Sequence, residues 1–332
     1  MAVYRAGPGA VILLSILLVL SSGFSAACGV LLQPVLTALA AALFAFLFMV
    51  TFSPAYVLLL IPAYGLSLLL TGSFFTAFSS FMFLPAGAVL ALCMLKRLNK
   101  TPTVIRVTVT LGITMIVFFL ISFVAEFGTL SKEAFSQYFG SLSDAMQASL
   151  EEGAAAAAES LAGTQVDNSY LQAALSPSVI RDVLNSIKLS VPAYLVIFFE
   201  IFGYVAVSLF GILTRIFRCR KLLPANYRLT VSMSCAVVFM ISYLVFFFTP
   251  SDTVTVIGAA SENLTLILSP ALALEGLCAL KRKAADPLRR TGFILSLIVL
   301  VILFFVSPAI CYFFLVLDGI GEVFTEHRLR SA

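Results

Sequence analysis

The sequence has no tryptophan, a single histidine and very few charged residues for its length. Of its 332 residues only 11% are Asp, Glu, Lys or Arg, whereas a soluble domain carries about 25%. Soluble proteins need those charges because their outer surface faces water. The mean hydropathy is +1.10, so we predict that most of this surface faces lipid. An aromatic belt at the membrane interface would have to come from the ten tyrosines.

Residue types that bind metals or catalyse reactions are equally scarce. The six cysteines are scattered singly with no CxxC pair, and they are Cys28, Cys93, Cys219, Cys235, Cys278 and Cys311. With His327 as the only histidine, we expect neither a disulfide frame nor a metal site. The sequence has no phosphate-binding loop, HExxH or GxSxG motif. We therefore expect no enzymatic activity, no cofactor and, without a basic tract bearing interleaved aromatics, no nucleic-acid partner.

The first part of the chain contains a long stretch without Asp, Glu, Lys, Arg or His, from Ala6 to Leu95. A membrane-spanning helix needs only about 20 residues, so the chain must cross several times here. Turn-forming residues at Gly29, at Ser53-Pro54 and at Gly72 divide the stretch. The four helices that this punctuation predicts are 8–28, 31–51, 54–71 and 74–95.

Five more apolar segments follow, so the predicted fold is an all-α polytopic helical bundle of about nine spans. The later spans are predicted at 103–125, 190–214, 229–249, 255–280 and 291–315. They divide the chain into an N-terminal bundle of about five spans (1–125), an acidic helical insert (126–189), a C-terminal bundle of about four spans (190–316) and a polar tail (317–332).

The insert differs from the rest because residues 126–188 hold eight acidic and three basic residues. Its apolar residues recur at helical spacing, at Phe135, Tyr138, Phe139, Leu142, Met146 and Leu150. An amphipathic helix is therefore predicted, followed by an alanine run at 154–158 and a second amphipathic piece at 179–187. We expect a helical hairpin that lies on the membrane surface; a ligand-binding domain is the alternative.

The basic residues indicate the orientation of the chain. Together with Arg5, three clusters hold fifteen of the twenty Lys and Arg residues: Lys96, Arg97, Lys100 and Arg106; Arg215, Arg218, Arg220, Lys221 and Arg228; and Lys281, Arg282, Lys283, Arg289 and Arg290. Cytoplasmic loops are rich in Lys and Arg. Nine spans and a cytoplasmic N-terminus place all three clusters in the cytoplasm, with 126–189 and the C-terminus outside. Alternatively, the first span is a signal peptide cleaved near Cys28.

Polar side chains within the predicted spans are the candidate functional residues, because an ionised group in lipid costs several kcal/mol unless it is paired or hydrated. They are Glu200, Glu262, Asn263 and Glu275. In the functional interpretation they contact a solute or a proton; for Glu275 the alternative is an interfacial ion pair with Lys281 or Arg282. Small residues at 38, 41, 42 and 45 favour close helix packing, within the chain or against a partner.

The C-terminal segment resembles the last span of the YybS-like family of uncharacterised bacterial multi-pass membrane proteins. Gly319, Glu322, Phe324, Glu326 and Arg328 follow the order of that family's motif. The chain departs from the pattern by placing Glu where the family shows Asp and His327 where an aromatic is common. The resemblance implies a bacterial plasma-membrane protein.

The N-terminal half of that family is similar to the substrate-binding subunits of energy-coupling-factor vitamin transporters. This similarity implies a bundle that binds a small solute and works with partner ATPase subunits, although no residue here matches a vitamin-binding motif. The first functional hypothesis is therefore a small-solute binding or transport subunit without its own ATPase. The alternative is a membrane scaffold of the cell envelope that binds other membrane proteins through the acidic insert and the small-residue faces.

Overall fold

The computed structural model describes residues 7–28, 32–161, 177–224, 227–249, 256–285 and 290–331. Throughout these ranges the regular elements are helices and no strand occurs, which confirms the all-α prediction. Helices satisfy their own backbone hydrogen bonds, as a chain in lipid must. The helices are α1 (Pro8–Ser25), α2 (Leu32–Thr51), α3 (Leu60–Thr71), α4 (Phe74–Phe78), α5 (Phe83–Leu95), α6 (Lys100–Phe127), α7 (Lys132–Leu161), α8 (Pro177–Ile216), α9 (Met233–Phe248), α10 (Val256–Ala285), α11 (Arg290–Val306) and α12 (Pro308–Ser331).

Eight helical segments of the described chain are long and apolar enough to cross a bilayer. They are Pro8–Ser25, Leu32–Thr51, Pro54–Thr71, Thr76–Leu95, Lys100–Phe127, Lys188–Ile216, Val256–Ala285 and Pro308–Arg328. Two shorter apolar helices, α9 and α11, bring the number of apolar segments in those ranges to ten. The multi-pass helical character is confirmed, and the first eight predicted spans correspond to these helices in order.

The ninth predicted span, 291–315, is wrong because the structure divides it at Ser307 into α11 and α12. Pro308 has no backbone N–H, and its ring disfavours a helical conformation in the preceding residue. The Ser307 hydroxyl accepts a hydrogen bond from the backbone N–H of Ile310 at 3.5 Å, which caps the new helix. The segment predicted as a polar tail, 317–332, is helical as far as Ser331.

The described residues belong to two compact units: unit 1 comprises 1–116 and 193–332, and unit 2 comprises 117–192. In unit 1, α1 and α5 pack against α2, which carries the small-residue face. Ala38, Ala41, Ala42 and Ala45 are all fully buried there. A β-carbon on Gly87 would lie 3.0 Å from the carbonyl oxygen of Ala41, so the two backbones touch. These small residues therefore serve packing within the chain, as one of the two interpretations predicted.

Unit 2 contains the insert. The predicted amphipathic helix is present as α7, and an aromatic cluster joins its start to the end of α6: Phe123 stacks on Phe127 and Phe135 with ring centroids 4.7 and 4.3 Å apart. The second amphipathic piece is not a separate element, because α8 runs without a break from Pro177 through the predicted sixth span. Residues 162–176 lie outside the described ranges, and a position on the membrane surface stays a prediction.

Candidate functional site

Helices α10 and α12 make a backbone-to-backbone contact at two glycines. A β-carbon on Gly276 would overlap the carbonyl oxygen of Leu315, and one on Gly319 would overlap that of Leu272. Such an approach is possible only where neither helix carries a side chain at the contact. Gly319, the first residue of the family-like motif, therefore fixes the position of the last helix.

The two helices run parallel. Moving towards the C-terminus along both, Ser269 hydrogen-bonds Tyr312 at 2.8 Å, Gly276 meets Gly319, and Arg282 reaches Glu326. The sequence separation between partners stays near 43 residues over this distance. Because α11 connects the end of α10 to the start of α12, it returns the chain between them.

A charged cluster begins beside the two glycines and extends along α10 and α12 towards their C-terminal ends. Arg282 of α10 lies 2.8 Å from a carboxylate oxygen of Glu275 and 3.1 Å from one of Glu322, and it approaches Glu326 at 3.8 Å. The next residue, Lys283, pairs with Asp318 at 2.7 Å. We call these six residues the α10–α12 charge cluster. It contains four acids and two bases: Arg282 pairs with three of the acids and Lys283 with the fourth.

Glu275 is the buried member of the charge cluster, with 2% of its side chain exposed. One carboxylate oxygen bonds Arg282, and the other has no partner within the described part of the chain. This geometry agrees with the interpretation of Glu275 as an ion-pair partner of Arg282. The carboxylate itself is buried within unit 1.

The charge cluster bears on the predicted topology of the C-terminus. The prediction of nine spans placed residues beyond 317 on the opposite side of the membrane from the Lys281 cluster. In the structure, ion pairs join Lys283 to Asp318 and Arg282 to Glu322, so the two segments lie close together. The break at Ser307 makes this possible, because α11 and α12 are separate helices; the side of the membrane on which the C-terminus lies stays a prediction.

The remaining residues of the family-like motif divide between this contact and the surface. Phe324 packs against a buried apolar cluster that α9, α10 and α12 share. Arg328 is exposed. Asp318 was missed, although Asp318, Glu322 and Glu326 recur every four residues, which is the spacing of one helix face and indicates a continuing helix.

Glu200, Glu262 and Asn263 lie elsewhere in unit 1. The Asn263 side-chain oxygen accepts a hydrogen bond from the backbone N–H of Ala193 at 3.2 Å, and its amide donates to the carbonyl of Ala259 at 2.7 Å. Asn263 therefore joins α10 to α8. Glu200 is half-buried on α8. Glu262 is half-buried on α10. The structure does not gather these residues with Glu275.

The first two basic clusters lie close together in unit 1. The Thr101 hydroxyl donates to the carbonyl of Thr230 and accepts from the N–H of the same residue, each at 2.8 Å. Lys100 stands 4.1 Å from the centre of the Tyr204 ring of α8. The cytoplasmic location of these loops stays a prediction.

Unit 1 also contains a cavity of about 90 Å³ that sequence reasoning missed. Its lining comes from α2, α6, α8 and the turn before α5, a combination that no local pattern reveals. The described residues that line it are Gln33, Pro34, Thr37, Ala38, Met82, Leu111, Thr114, Met115, Phe198, Phe199 and Phe202. None of the four carboxylate or amide candidates is among them.

Residues 13–318 match the family described as "Predicted membrane protein (DUF2232)". No curated protein and no solved structure matches the chain. The family match agrees with the helical, multi-pass architecture, and it ends just before the Gly319 motif. The YybS-like name and the similarity to energy-coupling-factor subunits stay predictions. Because the match covers nearly the whole sequence, the chain belongs to the DUF2232 family of membrane proteins.

Proposed function

We propose that the protein is a small-solute binding or transport subunit without its own ATPase, and that the cavity of unit 1 is its binding site. The observation that carries the proposal is the position of this cavity among α2, α6 and α8, inside the apolar bundle. Concave, mostly apolar sites with a few polar groups are typical of small-molecule binding. The resemblance to transporter subunits supports the same function and implies a partner that supplies energy.

The lining defines the class of solute. A volume of about 90 Å³ holds about three water molecules, so the solute is small unless the lining moves. Met82 and Met115 are flexible side chains that can make more room. No charged side chain is among the lining residues, and burying an unpaired charge is costly. The solute is therefore uncharged and largely apolar.

Gln33 is the residue that we expect to orient the solute. The hydroxyls of Thr37 and Thr114 already donate to the carbonyls of Gln33 and Thr110, so they can only accept from a ligand. The Gln33 side-chain amide offers both donors and an acceptor. A solute with one hydroxyl, carbonyl or amide group would complement it.

Mass spectrometry of the gently purified protein tests this proposal. We expect a co-purified small molecule that Gln33→Leu releases, because the substitution keeps the size of the side chain and removes its hydrogen-bonding groups. Ala38→Leu, which fills the cavity, should release it too. The matched control is Gln137→Leu, at an exposed position of α7, which should retain it. Retention of the molecule by the Gln33 and Ala38 variants would contradict the proposal.

A membrane scaffold is the second candidate, and an exposed apolar face on α7 favours it. Phe139, Leu142 and Met146 are 52%, 45% and 36% exposed and lie on one side of the helix. The small-residue face of α2 no longer supports this function, since it is buried within the chain. Chemical cross-linking in cells tests the α7 face: Leu142→Asp should abolish cross-links to a neighbouring protein, whereas Ser141→Asp should preserve them. Equal cross-linking by both variants would exclude the α7 face as the binding surface.

A further inference from the structure

A groove of about 400 Å³ runs along the outside of unit 1 between α5 and α6. It is larger than the cavity and distinct from it, because the two share no lining residue. Its walls combine apolar side chains with two cations. Leu92 and Lys96 come from α5 and its C-cap, and Ile105, Arg106 and Val109 from α6.

The apolar wall faces outward. Leu92, Ile105 and Val109 are 53%, 57% and 54% exposed. In a membrane protein such side chains contact lipid, since they lie on helices that are long and apolar enough to span. An acyl chain therefore fits along this wall by apolar contact alone.

One of the two cations follows the end of a span, and the other lies inside a span. Lys96 directly follows the apolar segment Thr76–Leu95. Arg106 lies six residues inside α6, about 9 Å along the helix from its start. Within the described chain no carboxylate pairs with either Arg106 or Lys96. A cation placed this far into an apolar helix is stabilised by an anion at the same depth.

We propose that this groove binds an anionic phospholipid, with the headgroup phosphate between Lys96 and Arg106 and an acyl chain along Leu92, Ile105 and Val109. Basic pockets between spanning helices are suited to anionic headgroups, and Arg recognises phosphate through two parallel hydrogen bonds. The groove volume lies within the range of ligand sites, about 300–1,000 Å³. A soluble anion fits less well, because one whole wall is apolar.

Lipid titration followed by native mass spectrometry tests the inference on the full chain in detergent. The probes are phosphatidylglycerol and phosphatidylcholine with identical acyl chains. We expect the wild type to bind phosphatidylglycerol more tightly. Lys96→Gln and Arg106→Gln should each weaken that binding about fivefold, since a basic residue near the headgroups contributes about that factor. Binding of phosphatidylcholine should not change.

Arg97→Gln is the matched control, because Arg97 neighbours Lys96 and is exposed but does not line the groove. It should keep the wild-type preference. Equal binding of the two lipids, an equal loss in Arg97→Gln, or displacement of phosphatidylglycerol by excess inorganic phosphate would each overturn the inference. Lys96 follows the last turn of α5, so Lys96→Gln decides the question even if Arg106→Gln fails to fold.

Discussion

Replacing Gly319 by alanine perturbs the contact between α10 and α12 at its closest point. The new β-carbon would overlap the carbonyl oxygen of Leu272 and lie 2.9 Å from the carbonyl carbon, with the backbone nitrogen of Gly276 at 3.1 Å. The atoms that it meets belong to the backbone, so no side chain can turn away. The helices must therefore separate along their contact.

The expected loss in the free energy of unfolding follows from that separation of the helices. A gap of roughly 0.5–1 Å already removes a quarter to a half of each dispersion contact, and overpacking in a well-packed core costs about 1–3 kcal/mol. We expect the upper end, about 3 kcal/mol, because the charge cluster is held by the same approach of the helices. The higher helix propensity of alanine offsets about 1 kcal/mol of this loss, so the free energy of unfolding should fall by about 2 kcal/mol.

Unfolding in mixed micelles of increasing SDS content measures this free energy. Circular dichroism follows the unfolding, because the protein has no tryptophan whose fluorescence could report it. The matched control is Gly321→Ala in the same helix, where the new β-carbon would meet nothing within 4 Å. Gly321→Ala should be neutral or stabilise the protein by up to about 1 kcal/mol. If the two variants unfold at the same SDS content, the close contact at Gly319 is refuted.

Two further predictions concern polar contacts. Arg282→Met should destabilise the protein by about 3 kcal/mol, because it leaves the buried Glu275 carboxylate without its cation; SDS unfolding of the double variant with Glu275→Gln should recover most of the loss, and no recovery would refute the pairing. Thr101→Val should cost about 1–2 kcal/mol, because it removes both hydrogen bonds to the Thr230 backbone; an unchanged unfolding midpoint would contradict that link.

The placement of the helices could be predicted because the charges are so sparse. Ninety residues without Asp, Glu, Lys, Arg or His leave only short turns as possible boundaries. The structure ends its helices at Thr51 and Thr71, close to the predicted turns. The boundary between α11 and α12 was not predicted, because apolar residues continue on both sides of Pro308 and hydropathy alone does not show the break. The proline itself was the available signal.

Pairing between helices was harder to predict than their positions. Glu275, Glu322 and Glu326 were all candidates, but nothing local indicates that Arg282 joins them. That arrangement depends on the parallel packing of α10 and α12, which in turn depends on Gly276 and Gly319. The cavity could not be predicted from the sequence for the same reason, because its lining comes from several helices that are distant in sequence.

The parallel packing of α10 and α12 is tested most directly by locating two epitope tags in intact and opened cells. One tag is inserted between residues 285 and 290, and the other follows the C-terminal Ala332. With α11 as a return crossing, an impermeant antibody should reach both tags from the same side of the membrane. Access to the two tags from opposite sides would show that residues 291–331 cross only once, which contradicts the charge cluster and the topology derived from it.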